Sequence, residues 1–220
     1  MAKDLENTMI GNNVYLLVDI NPETTNGLIA QLTQWVSALP VSKTPVANAS
    51  YKIYKPFELI PEDIPVLNVY INSCGGNTAH TQSILTMFYD AHARGAIIKT
   101  YNLFRANSSA SIIAVSGTHG YRYMAQHAHN FIHFGDVSAT PNHTDEIEFA
   151  TKNFQRHDEL SRSVYLANTK LTKKEINKYY NTEGSGKLLA PECLAKGLCD
   201  WVITPNGWVN NVKDLQQNIR

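Results

Sequence analysis

Val66-Leu67-Asn68-Val69-Tyr70-Ile71-Asn72-Ser73-Cys74-Gly75-Gly76 is the stretch whose reading decides the fold of this chain. Its first six residues form an apolar, β-rich run. The polar residues and paired glycines that follow stop it sharply, as when a buried strand runs into a tight turn. A helix is expected across roughly Thr78 to Arg94 and a strand over Ile97 to Tyr101, so the turn joins a strand to a helix. Glycines there accept positive φ and let the backbone approach a ligand closely, leaving amide hydrogens for an anion or oxyanion. A tight turn that needs glycine for geometry alone is the competing reading.

A second junction of the same kind lies downstream. Ala106-Asn107-Ser108-Ser109-Ala110 opens a small, apolar run from Ser108 to Val115 that suits a tightly buried helix ending at Gly117. A serine at a helix start is ordinarily an N-cap. As a nucleophile it would have a free amide and the positive end of the helix dipole beside it, both able to stabilise charge on a carbonyl oxygen. Two short strands, near Tyr121 to Met124 and Asn130 to His133, come next. His133 ends the apolar Phe131-Ile132 run, is followed by Phe134-Gly135, and is placed to face a cleft; a satisfied structural histidine is the default alternative. His127 and His129 alternate, but no carboxylate or cysteine stands at ligand spacing, so a surface position is expected and no metal or cofactor is called for.

On the N-terminal side, Val14-Tyr15-Leu16-Leu17-Val18 reads as a buried strand. Leu28, Ile29, Leu32, Trp35, Val36 and Leu39 mark one face of a helix over Thr24 to Leu39. Pro40 to Pro65 reads as an ordered surface excursion carrying Tyr51, Tyr54, Phe57 and Leu59. On the C-terminal side the longest helix signal starts near Asp145, with Glu148 completing a capping box, and runs to about Asn168. Its apolar positions Ile147, Phe149, Phe154, Leu160 and Val164 exceed what one domain covers. Thr172 and Glu175 cap a shorter helix, Pro191 opens one ending before Gly197, and Trp201-Val202-Ile203 is the expected last strand. Strands alternating with helices predict an α/β fold with a largely parallel sheet.

Composition narrows the function. The chain of 220 residues suits one domain, residues 1–220, with an N-terminal segment 1–13, an insertion 40–65 and a C-terminal tail 204–220. Nineteen Lys+Arg balance nineteen Asp+Glu, which argues against a nucleic-acid binder needing a basic surplus. Cys74, Cys193 and Cys199 are odd in number and show no CxxC spacing, so a reduced, cytoplasmic protein is expected. Met1 to Asn13 carries Asp4 and Glu6, unlike a secretory signal, and no apolar run approaches the roughly 20 residues of a membrane span, so no membrane association is expected.

These motifs together resemble those of the ClpP-like proteolytic subunits of Clp protease. Tyr70 through Gly76 resembles the family's Y-I-N-S-P-G-G segment, with Cys74 in place of Pro. Ser108 through Gly117 resembles the nucleophile helix, and Asn130-Phe131-Ile132-His133 the segment that delivers the catalytic histidine, at an ungapped interval of 25 residues (133 − 108). Asp145-Glu146-Ile147-Glu148 resembles the start of the long handle helix. Leu189-Ala190-Pro191-Glu192 and Gly197-Leu198-Cys199-Asp200 resemble the last helix and the approach to the final strand. The likeness spans about Val14 to Ile203 outside the Pro40 to Pro65 insertion.

The resemblance implies a ClpP/crotonase-like fold with a mainly parallel sheet, flanking helices and a protruding handle helix. It implies a serine endopeptidase cleaving unfolded polypeptides, with Ser108 as nucleophile, His133 as general base, and the Gly76 and Ser109 amides as oxyanion hole. It also implies a heptameric ring or double ring, as homo-oligomer or with other ClpP-type subunits, fed by an AAA+ ATPase. One departure bears on activity: the family's catalytic Asp falls on Ser185 and the Arg that follows it on Gly186. Ser185 could accept a hydrogen bond from the imidazole, or Glu183 could reach in. The loss of the carboxylate keeps a second reading open, a non-catalytic or weakly active ring subunit. A third, an acyl-CoA-handling crotonase relative, is opposed by the Ser/His pair at family spacing.

Overall fold

Residues 6–40, 52–133, 144–181 and 186–218 are described by the computed structural model. The chain opens with a hairpin, β1 (Thr8–Ile10) and β2 (Asn13–Leu16). It continues through α1 (Pro22–Ala38), β3 (Val66–Ser73), α2 (Thr78–Ala93), β4 (Ile97–Asn107) and α3 (Ser109–Val115). Next come β5 (Arg122–Ala125), β6 (His129–Phe131), α4 (Thr144–Asn168), α5 (Lys173–Asn181) and β7 (Lys187–Leu189). The last elements are α6 (Ala190–Ala195), β8 (Trp201–Thr204), β9 (Gly207–Val209) and α7 (Val212–Asn218).

The sheet runs β1-β2-β3-β4-β5-β8-β9, with β6 and β7 branching from β4. Every pairing from β2 through β8 along this path is parallel, and only the edge strands β1 and β9 are antiparallel. The α/β architecture and mainly parallel sheet expected from the alternating elements are therefore present. Strict alternation in β3 sends Leu67, Val69, Ile71 and Ser73 into the interior and leaves Asn68 and Tyr70 half-buried on the other face. Leu16, Leu28, Leu32, Ile84, Leu85, Phe88, Ile98 and Ile113 are among the fully buried residues of the main core. Each contributes about 1.5–3 kcal/mol relative to an exposed side chain. On the opposite face Tyr15, Tyr70, Tyr101 and Tyr123 stack across four adjacent strands, with centroids 5.3, 4.9 and 4.7 Å apart. Tyr54, Ile60 and Ile64, from the Pro40–Pro65 segment, pack on this face beside Tyr121 and Tyr123.

β4 positions the site. Its first half pairs with β5, Thr100 to Asn102 against Arg122 to Met124. Its second half pairs with β6, Arg105 to Asn107 against His129 to Phe131. Between them the β3–β4 register shifts: Ile71 faces Asn102, but Ser73 faces Ala106. The extra residues on β4 form a bulge that leaves Leu103 and Phe104 consecutively exposed and redirects the strand toward β6.

Several expectations need correction. Trp201-Val202-Ile203 is not the last strand: β9 pairs back onto β8, and the segment from 204 onward, read as a tail, also forms α7 with Leu215 fully buried. Thr204-Pro205-Asn206-Gly207 closes that hairpin, the Thr204 hydroxyl donating to the Gly207 carbonyl at 2.9 Å. β6 stops at Phe131, so His133 lies two residues beyond the strand it was expected to end. In α4, Val164 is buried in the main core, whereas Ile147, Phe149 and Leu160 stay exposed. Thr172 and Glu175 form the expected reciprocal cap, at 2.9 and 3.2 Å.

Candidate active site

Ser108 sits between the end of β4 and the start of α3 with φ 52 and ψ −126. It is the one non-glycine residue with positive φ among the described residues. Such a conformation costs of order 1–3 kcal/mol and needs support from its surroundings. The Ser108 amide donates to the Phe131 carbonyl at 2.8 Å, and its carbonyl accepts from the Ser111 amide at 2.9 Å. An N-cap serine has extended backbone and turns its side chain onto the helix amides. Ser108 does neither: its side chain makes no cap hydrogen bond. This is the strand–elbow–helix arrangement that presents a side chain outward from a sharp turn. All seven residues of α3 are buried, which explains its small side chains.

The Gly75–Gly76 turn lies against this elbow. A Cβ on Gly75 would come within 2.4 Å of the Asn107 carbonyl oxygen and 2.8 Å of Ser108 Cβ. A Cβ on Gly76 would meet the Ile20 carbonyl oxygen at 2.2 Å. Both glycines also have positive φ, 93 and 138. Their presence is a matter of close approach as well as turn geometry.

Most backbone groups of Gly75, Gly76 and Asn77 in this turn are engaged. The Gly75 amide donates to Ser73 Oγ at 3.1 Å, and that hydroxyl donates to the Val18 carbonyl at 2.8 Å. The Gly75 carbonyl accepts from the Ile20 amide at 2.7 Å, and the Asn77 amide donates to the Ile20 carbonyl at 2.6 Å. The Gly76 carbonyl accepts from Ser109 Oγ at 2.9 Å. Among the described residues the Gly76 amide makes no hydrogen bond. Because a trans peptide sets N–H opposite C=O, that amide points away from Ile20. Ile20 and Ser73 are contributors that sequence reading missed. Ile20 follows the β2 strand without any distinguishing pattern, and Ser73 reads as an ordinary turn residue.

His133 follows Ile132, which is fully buried and whose amide donates to the Gly186 carbonyl at 2.9 Å. Ser108 and His133 thus stand just past the carboxyl ends of the parallel pair β4 and β6, the end of an α/β sheet where ligands bind. The His133 ring stacks on Phe131, 5.0 Å between centroids and 11° between planes. Among the described residues no hydrogen bond joins it to Ser108. Ser185 and Glu183 lie outside the described residues. Gly186 can be described: a Cβ there would fall 1.6 Å from the Ile132 carbonyl oxygen, so this backbone has no room for a larger residue at the position where the resemblance puts the family's arginine.

The other histidines fall elsewhere. His127 is exposed beside the Gln126 side chain at 3.1 Å. His129 is half-buried and edge-on to Phe104. Burial and the nearby Lys187 and Arg105 lower its pKa. No cluster of three or more metal-ligating side chains occurs among the described residues. A cavity of about 370 Å³ is lined by His119, Arg122, Asn168, Lys170, Asp200 and Trp201, among others, and includes neither Ser108 nor His133. It adjoins a buried ion pair: Asp200 accepts from Arg122 Nη2 at 2.6 Å and from Nε at 2.9 Å. That pair ties the start of β5 to that of β8 and had no signal in the sequence.

A parallel α/β sheet with an outward serine at a strand–helix elbow, facing a turn that offers an amide, defines the class of ClpP/crotonase-like α/β proteins. The family model of Clp protease matches residues 59–206, and the chain belongs to that family. Membership makes it a ClpP-like member of a family of serine peptidases. No helix among the described residues is long and apolar enough to cross a membrane.

Proposed function

We propose that this chain is a serine endopeptidase subunit in which Ser108 attacks the scissile carbonyl and His133 takes the Oγ proton. The Gly76 and Ser109 amides receive the negative charge that develops on the carbonyl oxygen. His133 then returns the proton to the departing amine, the peptide bond breaks, and the acyl-enzyme ester is hydrolysed by water that His133 deprotonates in turn. The observation that carries this reading is the strained Ser108 elbow, whose side chain makes no cap hydrogen bond, beside a turn in which the Gly76 amide makes no hydrogen bond among the described residues. The chemistry requires the Ser108 hydroxyl and the His133 ring to come within hydrogen-bond distance, a contact that catalytic pairs often complete only with substrate bound.

The third position of the triad is assigned to Ser185. A neutral hydroxyl orients an imidazole but does not stabilise imidazolium as a carboxylate does. Replacement of the carboxylate in a triad lowers turnover by about 10⁴. The same substitution favours the second reading, a weakly active or non-catalytic ring subunit. In either case the chain works within a ring of ClpP-type subunits, on polypeptides delivered by an AAA+ unfoldase in the cytoplasm.

A fluorophosphonate probe with mass-spectrometric site mapping tests the first reading. Ser108 is the expected site, and Ser108→Ala abolishes both labelling and peptide cleavage. Cleavage undiminished in Ser108→Ala overturns the assignment, and an inert wild-type protein that still assembles selects the second reading. Ser185→Asp is expected to raise peptidase turnover at least about tenfold, equivalent to ~1.4 kcal/mol of barrier. If Glu183 already serves that role, Glu183→Gln cripples the enzyme and Ser185→Asp adds little.

A further inference from the structure

The Ser109 side chain has no part in the mechanism above, which uses only its amide. It is 2 % exposed, and its hydroxyl donates to the Gly76 carbonyl at 2.9 Å. Among the described residues this is the one hydrogen bond between the 74–77 turn and the 107–110 segment. The two amides of the proposed oxyanion hole lie on opposite sides of it. One belongs to Gly76, on the turn between β3 and α2; the other belongs to Ser109, at the start of α3. The turn's remaining bonds go to Ile20, to Ser73 and, from Asn77, to Ala79, His80 and Thr81 of α2, and none of these reaches α3.

The glycine pair makes this tie consequential. Two consecutive residues without a Cβ leave the peptide between them intrinsically free to swing, and the Gly76 amide is part of that peptide. Ile20 holds the peptide from one side through the Gly75 carbonyl. The next peptide is held at both ends, by Ile20 on the Asn77 amide and by Ser109 on the Gly76 carbonyl. Only the second of these bonds relates the turn to the helix that carries the nucleophile.

We propose that Ser109 is a positioning residue: through the Gly76 carbonyl its hydroxyl sets the separation and direction of the two amides that receive the oxyanion. The inference rests on the proposed peptidase reading for its catalytic consequence, but the clamp is a property of the backbone and is measurable without activity. An oxyanion hole acts through donors held in place before charge develops, and loss of one donor lowers kcat by about 10²–10³. Loosening a donor forfeits part of that.

The experiment compares wild type, Ser109→Ala and Ser109→Thr, each shown to be folded by circular dichroism. For Ser109→Ala, kcat for a peptide substrate and the rate of fluorophosphonate labelling are expected to fall tenfold or more with KM little changed. Affinity for a peptide boronate, whose tetrahedral adduct occupies the hole, should fall in parallel. Ser109→Thr, which keeps the hydroxyl, should recover at least part of the loss. Hydrogen–deuterium exchange over a peptide spanning Ser73 to Thr78 should be faster in Ser109→Ala and restored in Ser109→Thr. Unchanged kcat, or a loss confined to KM, overturns the catalytic role. Unchanged exchange in Ser109→Ala overturns the clamp itself. If wild type is inert to the probe and to substrate, the peptidase reading fails, and the exchange comparison alone decides whether the hydroxyl holds the turn.

Discussion

Ser108 holds a left-handed φ that a serine adopts only when its neighbours leave it no alternative. Those neighbours are the Phe131 carbonyl on its amide, two α3 amides on its carbonyl, and Gly75 packed against its Cβ. The glycine is therefore as much part of the elbow as the serine. Gly75→Ala would drive a methyl onto the Asn107 carbonyl and strain a φ of 93, and neither the β4 backbone nor the Ser108 Cβ can move aside cheaply. A loss of about 1–3 kcal/mol is expected for strain at such a site, read as a lower denaturant midpoint, together with near-complete loss of Ser108 labelling. Wild-type stability and labelling in the Gly75→Ala protein would show that the turn has room to shift. The strand–turn–helix junctions that place Ser108 and the glycine pair were legible in the sequence because short motifs mark them. The orientation of the Gly76 amide was not, since it depends on Ile20, about fifty residues upstream, whose identity carries no signal beyond being apolar.

At the scale of elements, periodicity revealed α1 and apolar runs revealed the central strands because each hides a regular apolar face, whereas α4 showed through its cap signature and length. The missed pieces are short or borrow their stability from neighbours. β7 spans Lys187–Leu189 with one buried residue, and β9 spans Gly207–Val209 against β8, both below the length at which alternation can be recognised. The bulge in β4 was illegible for a different reason: nothing in Asn102-Leu103-Phe104 marks an irregularity, and only the register against β3 shows the strand changing partners. One polar contact inside this layer yields a pH prediction. His92, on α2, meets Thr118 Oγ1 at 2.8 Å, and that hydroxyl also accepts the Ile98 amide at the start of β4. Burial pushes the His92 pKa down to about 4 from an ordinary 6.5, so the folded protein keeps the ring neutral. The unfolded chain takes up the proton first. His92 thus contributes stability that is fully present above about pH 6.5 and is lost as pH falls toward about 4, by at most about 3 kcal/mol. Urea midpoints measured from pH 7 to 4 should decline in wild type and more shallowly in His92→Gln. Glu175, held down to about 2 by Lys196 and Thr172, begins to lose its contribution near pH 4.5, so the His92 slope is read between pH 7 and about 5. Identical slopes for the two proteins would refute the assignment to His92.

For the whole molecule the decisive element is α4, whose 25 residues extend for about 37 Å. Its C-terminal part is anchored: Ser161, Val164 and Tyr165 are buried against the rest of the chain. From Ile147 to Leu160 no described residue is buried, and Ile147 and Phe149 are 52 % and 69 % exposed. A helix that long with no buried residue in this stretch gains less from tertiary packing than a core helix, yet helices in water owe most of their stability to such packing. Apolar side chains on a projecting helix are therefore the expected contact with another copy, in the position of the handle through which two rings would interdigitate. Light scattering should return seven or fourteen times the 24.6 kDa mass of one chain. Ile147→Glu combined with Phe149→Glu places charge on the exposed apolar positions and leaves the buried end of α4 untouched. If fourteen copies stack through α4, the double variant should fall to a single ring, or to smaller species, with its secondary structure retained. A wild-type protein that remains a monomer at high micromolar concentration, with full helical circular dichroism, would mean that α4 is stable alone and that its apolar face serves some other contact.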